Sequence, residues 1–106
     1  MRYYKHLYLA DGIKKKEKII RKLEEKKLQM NIHIITLARN EKNQLEIYNS
    51  MILLQPDFPH DDFFVVGLAK GYEDAVEMVE EIAREVYNKT KGADIRSYIL
   101  EREQEE

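Results

Sequence analysis

FFVVGLAKGYEDAVEMVEEIAREVY, residues 63–87, decides how this chain folds. Phe63-Phe64-Val65-Val66 is a short, continuous apolar block, which reads as a buried strand. Gly67-Leu68-Ala69-Lys70-Gly71 follows as a glycine-bounded turn. From Tyr72 the apolar period changes to about 3.6. Tyr72, Ala75, Val76, Val79, Ile82, Ala83, Val86 and Tyr87 fall on one stripe. Glu73, Glu77, Glu80, Glu81, Arg84 and Glu85 fall on the other faces, so the pattern predicts a long amphipathic helix packed on the strand.

Working back towards the start, Tyr3 to Ala10 alternates as a first strand, with Tyr4, His6 and Tyr8 on one side and Lys5, Leu7 and Leu9 on the other. Asp11-Gly12 breaks it, and Asp11 is a candidate cap for a helix over 13–28. Asn31 to Arg39 reads as a second strand and Gln44 to about Leu54 as a third, joined by a short polar link as in a hairpin. Beyond the long helix, Gly92 suits a C-cap. Asp94 and the spacing of Ile95, Tyr98 and Ile99 favour a short helix over an edge strand.

The order β-α-β-β-β-α, plus that short C-terminal helix or edge strand, places the chain in the α+β class. The β-α-β unit implies a parallel pair and the hairpins imply antiparallel ones. The expected architecture is a two-layer sandwich: a mixed four-stranded sheet with two helices on one face. Residues 1–100 form a single domain in this reading, and 101–106 an acidic, frayed tail.

Composition narrows the chemistry. With no cysteine among 106 residues there is neither a disulfide nor a thiolate ligand or nucleophile. The first apolar run, Leu7 to Ala10, is too short for an export segment, and no window approaches the roughly 20 apolar residues of a membrane helix. A cytoplasmic protein without membrane partners is therefore expected. Charge is uneven: residues 1–42 carry 12 Lys/Arg against 5 Asp/Glu, and residues 43–106 carry 6 against 15. Either the halves pack together and neutralise each other, or the basic half meets nucleic acid or a membrane.

Few residues form a chemical motif. The Gly67–Gly71 segment has neither the dinucleotide nor the P-loop spacing, and Glu73 and Asp74 already complement the helix end behind it. Asp57, His60, Asp61 and Asp62 are weak metal-ligand candidates, since adjacent carboxylates seldom converge on one ion. His6 and His33 lie within strands, and neither Ser50 nor Ser97 sits in a nucleophile context. Lys14, Lys15 and Lys16 could meet phosphate backbones, although Glu17, Glu24 and Glu25 interrupt the basic surface. No cofactor is implied.

The remaining feature is aromatic. If helices cover the Leu7/Leu9 side, then Tyr4, His6 and Tyr8, with Tyr48 nearby, form an interface on the open sheet face. The reading that follows is a non-catalytic, self-associating interaction or accessory domain, partnered by a second copy or another protein. A nucleic-acid-associated protein is the alternative. A small ligand-binding or enzymatic domain with its site on the open face is the third.

Overall fold

The computed structural model describes residues 1–39, 43–58 and 62–105. Strand β1 spans Arg2–Leu9, helix α1 Lys16–Glu24, β2 Ile32–Leu37, β3 Leu45–Asn49, β4 Phe64–Lys70, α2 Tyr72–Thr90 and α3 Ile95–Glu103. A 3-10 turn over Ser50–Leu54 follows β3. The α+β class, the mixed four-stranded sheet and the short C-terminal helix are all present. Asp94 caps α3 as the sequence implies, accepting the Ser97 amide at 3.0 Å and the Ser97 hydroxyl at 2.8 Å.

The sheet runs β1-β4-β2-β3. Its parallel pair is β1 with β4, while β2 is antiparallel to both β3 and β4. The β1-α1-β2 segment is therefore not a parallel crossover unit, because β2 runs antiparallel to β1, with β4 between them. The β2–β3 hairpin is formed as expected, with Leu37 opposite Leu45 and His33 opposite Asn49. β3 ends early because the Asn49 side chain accepts the Met51 amide at 3.0 Å and turns the chain into the 3-10 segment.

Two helices do share one sheet face, but they are α2 and α3. Tyr4, Ile35, Leu37, Phe64, Val66 and Ala69 of that face pack with Ala75, Met78, Ile82, Val86, Ile95 and Ile99. Helix α1 and the 3-10 turn lie on the opposite face, where Ile19, Ile20, Leu23 and Leu53 join Ile34, Val65 and Leu68. Helix α1 is shorter than 13–28: Lys15 occupies its N-cap position without a side-chain cap, and Lys26 beyond its end has φ +55°. Asp11 caps nothing there.

Gly67 lies inside β4 and is no turn residue. Ile35 pairs with Gly67 and Thr36 with Val65, so Val66 is the extra residue of a bulge. A Cβ on Gly67 would stand 2.5 Å from Met78 Sδ, so glycine here lets α2 approach the sheet. The reversal itself falls on Gly71, at φ +91°, whose amide donates to the Asn31 carbonyl at 2.8 Å. The α2 stripe is also narrower than the pattern suggests. Ala75, Met78, Ile82 and Val86 are buried, whereas Tyr72 and Tyr87 are 62% and 58% exposed. Met78 is a core residue that the stripe reading omits. Helix α3 continues to Glu103, into the segment expected to fray.

Ile82 is fully buried between α2 and the sheet. Ile82→Ala is expected to lower the unfolding free energy by about 2–5 kcal/mol, since the void cannot refill. Glu80→Ala, on the exposed side, should change it by less than about 0.5 kcal/mol. Urea titrations followed by circular dichroism measure both; equal midpoints for the two variants would show that this face is not core.

Candidate functional site

The residues expected to form one open-face interface are divided between the two faces of the sheet. Tyr4 is 2% exposed beneath α3, with its ring edge-on to Phe64 at 6.1 Å and no hydrogen-bond partner for its hydroxyl. His6 is exposed on β1 with its ring edge against Tyr4. Tyr8 is half-buried below α2. Tyr48 lies on the opposite face, stacked on Phe63 at 5.0 Å, and its hydroxyl donates to Glu46 Oε2 at 2.6 Å. The open face is thus covered: the C-terminal segment folds as α3 and seats Ile95 and Ile99 on it.

The other candidates scatter. Lys14 and Lys15 are exposed ahead of α1, and Lys16 begins the helix. Asp57 is exposed, while Asp62 pairs with Arg39 at 3.5 Å. His60 and Asp61 lie outside the described residues. Among the described residues no group of three or more His, Asp or Glu side chains is placed to hold a metal. His33 is buried against Tyr72, with Nδ1 unpartnered. Ser50 donates to the Gln29 carbonyl and Ser97 to its own helix cap.

What the fold does bring together is a polar cluster on β1, α2 and α3. Glu85 Oε2 accepts from Tyr8 Oη at 2.6 Å, from Tyr98 Oη at 2.8 Å and from Arg102 Nη1 at 3.3 Å. Arg102 lies one turn beyond Tyr98 on α3, and its guanidinium also reaches the Tyr98 hydroxyl at 3.2 Å. Burial, then the hydrogen bond to Glu85 and its negative charge, push the Tyr8 phenol well above its ordinary value. The same causes, in the same order, raise Tyr98. Phenols held protonated are donors, not bases, so this is a clamp that ties both helices to β1. Beside it a groove of about 590 Å³ opens between α2 and α3, lined by Lys89, Thr90, Glu101 and Glu105 together with Glu85, Tyr98 and Arg102. Sequence reading missed Glu85 and Arg102 because their partners are far apart in the chain; the one local signal is the Tyr98/Arg102 spacing.

The two sheet edges differ. At the β1 edge the Lys5 amide donates to Glu103 Oε1 at 2.7 Å and Lys5 Nζ reaches the Glu105 carbonyl, so the end of α3 caps that edge at Lys5. At the other edge, among the described residues, β3 pairs with β2 alone. Ala38 N donates to Gln44 O at 2.9 Å, and antiparallel alternation then turns the backbone groups of Leu45, Ile47 and Asn49 away from β2. Exposed Met51 and Leu54 continue the apolar character beyond the strand.

No protein-family model matches this chain, and neither a curated protein nor a solved structure does. Among the described residues no helix is long and apolar enough to cross a membrane.

The clamp implies a pH response. Unfolded tyrosines ionise near pH 10, whereas folded Tyr8 keeps its proton to higher pH. The unfolded chain therefore loses protons first, and stability present below pH 10 is lost as pH rises above it. Burial and the Glu24 bond act on Tyr3 in the same direction. Urea midpoints measured at successive pH values should hold between about pH 7 and 9 and fall above about 10. Tyr8→Phe should lower stability at neutral pH by about 1 kcal/mol and flatten the alkaline fall; an unchanged alkaline slope would disprove the role given to Tyr8.

Proposed function

We propose that the protein is a non-catalytic, cytoplasmic interaction domain that associates with a second copy of itself through the outer edge of β3. The observation that carries this reading is the difference between the edges. Both end strands pair on a single side, but α3 reaches back to cap the Lys5 amide of β1, and no such cap meets the outward amides of the five-residue β3 among the described residues. An unpaired edge is a template for another strand, and backbone hydrogen bonds formed there supply affinity. Leu45, Ile47 and Tyr48 are only half-buried in the monomer, so pairing also removes apolar surface from water.

Antiparallel pairing of two β3 strands has a two-fold axis through the sheet, the commonest symmetry of small oligomers. It builds one continuous sheet of two copies and places both α1 helices on the same side. Eight Lys/Arg against three Glu over residues 14–27 then line one surface of the dimer twice. That surface supports the second reading, contact with nucleic acid, in which Lys14, Lys15 and Lys16 meet phosphates. Salt-dependent retention of an oligonucleotide, lost on Lys14→Glu with Lys15→Glu, would favour it.

Asn49 tests the edge directly. Its φ of −70° is already that of proline, and alternation points its N–H outward. Asn49→Pro removes that donor together with the side-chain cap on Met51, while Asn49→Ala removes only the cap. Light scattering should show a dimer for the wild type and for Asn49→Ala, and a folded monomer for Asn49→Pro. A monomeric wild type at high micromolar concentration, or a dimeric Asn49→Pro, rejects the proposal.

A further inference from the structure

Three arginines from three elements line one groove at the end of the sheet where β1 and β4 begin and β2 stops. Arg2 comes from β1, Arg39 follows β2, and Arg96 lies in the first turn of α3. The groove measures about 470 Å³, within the range of small-ligand pockets. Each guanidinium is held. Arg2 lies 4.8 Å over the Phe64 ring, Arg96 donates to the Ala38 carbonyl, and Arg39 faces Asp62 at 3.5 Å.

We infer that this groove binds the phosphate group of a small phosphate monoester, with the ester's apolar portion against Leu100. Charge supports the assignment. Of the charged side chains that line the groove among the described residues, three are guanidiniums and one, Asp62, is a carboxylate. A phosphate monoester carries about −1.5 to −2 at neutral pH, a closer match than a monocarboxylate. Geometry agrees, since a guanidinium has five N–H donors in a planar fork suited to phosphate, and the Ala38 contact uses one of those of Arg96. The start of α3 is not the donor here: Gln44 Oε1 accepts the Ile95 and Arg96 amides, and Asp94 accepts that of Ser97. Recognition therefore rests on side chains.

Asp62 sets the exchange. Its side chain is 76% exposed and that of Arg39 is 42% exposed, so solvent screens their pairing and a more highly charged anion displaces it. Apolar surface is also available. It comes chiefly from Leu100, which is 36% exposed, since Leu37 and Phe64 are buried and the Phe64 ring lies under Arg2. An ester group resting there separates a monoester from inorganic phosphate. This site is distinct from the β3 edge and does not depend on self-association.

Phenyl phosphate is the probe, added to the ¹⁵N-labelled chain at constant ionic strength, with inorganic phosphate and sulfate as comparisons. Saturable shifts are expected at the amides of Ala38, Arg39 and Arg96, with phenyl phosphate binding more tightly than either inorganic ion. Arg2→Gln and Arg39→Gln should each weaken binding about tenfold, the effect of losing one charge-assisted hydrogen bond. Asp62→Asn should tighten it several-fold by removing the competing carboxylate. The same spectra report whether each variant is folded, and with two arginine variants one folded protein suffices. The inference is overturned if the shifts do not saturate, or if they fall on the α1 lysines. It is also overturned if inorganic phosphate binds as tightly as phenyl phosphate, or if a folded arginine variant binds like the wild type.

Discussion

Strand β4 is hydrogen-bonded on both sides and covered on both faces, and the rest of the molecule depends on that arrangement. Residues 63–69 are all buried, so their backbone groups have no water to fall back on and must pair with β1 and β2. The pairing is not regular. The bulge at Val66 puts two consecutive residues, Val66 and Gly67, on the α2 side, with Val65 and Leu68 on the α1 side. A Cβ at 67 would displace the Met78 thioether from the space it fills. Glycine lets Met78 fill that space, and α2 then lies close enough for Ile82 and Val86 to seal the core. The bulge and the helix approach are one device.

A buried central strand also explains how charge is distributed. Helix α1 packs on one face and α2 on the other. The two charged layers are separated by two layer spacings, about 20 Å, well beyond a physiological Debye length of about 8 Å. The α1 lysines and the α2 carboxylates therefore do not neutralise each other across the sheet, although Arg39 of the basic half pairs with Asp62 of the acidic half. Lysines at the start of α1 oppose its macrodipole, and solvent rather than a buried acid screens them. Each face presents its own field, and the near-neutral total describes neither.

Element type was legible wherever a local pattern sufficed. The β4 apolar block, the α2 period, the β2–β3 hairpin and the Asp94 cap each need only neighbouring residues. Pairing was not legible, because insertion of β4 between β1 and β2 depends on contacts some 60 residues apart, as between Tyr3 and Val65. The site reading failed for the same reason. Alternation correctly groups Tyr4 with Tyr8 on one side of β1, but it cannot say which helix covers that side. Glu85, an ordinary exposed-face residue by period, becomes the acceptor for two tyrosines only once α3 folds back. Gly67 misled for a different reason: glycine marks both turns and close packing, and only the helix above it decides between them.

The covering of the aromatic row has a consequence for recognition. A hydroxyl buried without a partner is costly, and neither the Tyr4 nor the Thr36 hydroxyl has one among the described residues. Burial of Ile95, Ile99 and the Tyr4 ring offsets it, so the fold spends its aromatic surface on holding α3. With both broad faces occupied, the proposed contacts are left to the margins of the sheet. One margin is the single-sided β3 edge, where backbone groups point outward. The other is the strand end, where the starts of β1 and β4, the end of β2 and the beginning of α3 place three guanidiniums around one groove. Closing the sheet faces is thus why both proposed contacts fall on the edge and the end of the sheet and not on the aromatic row.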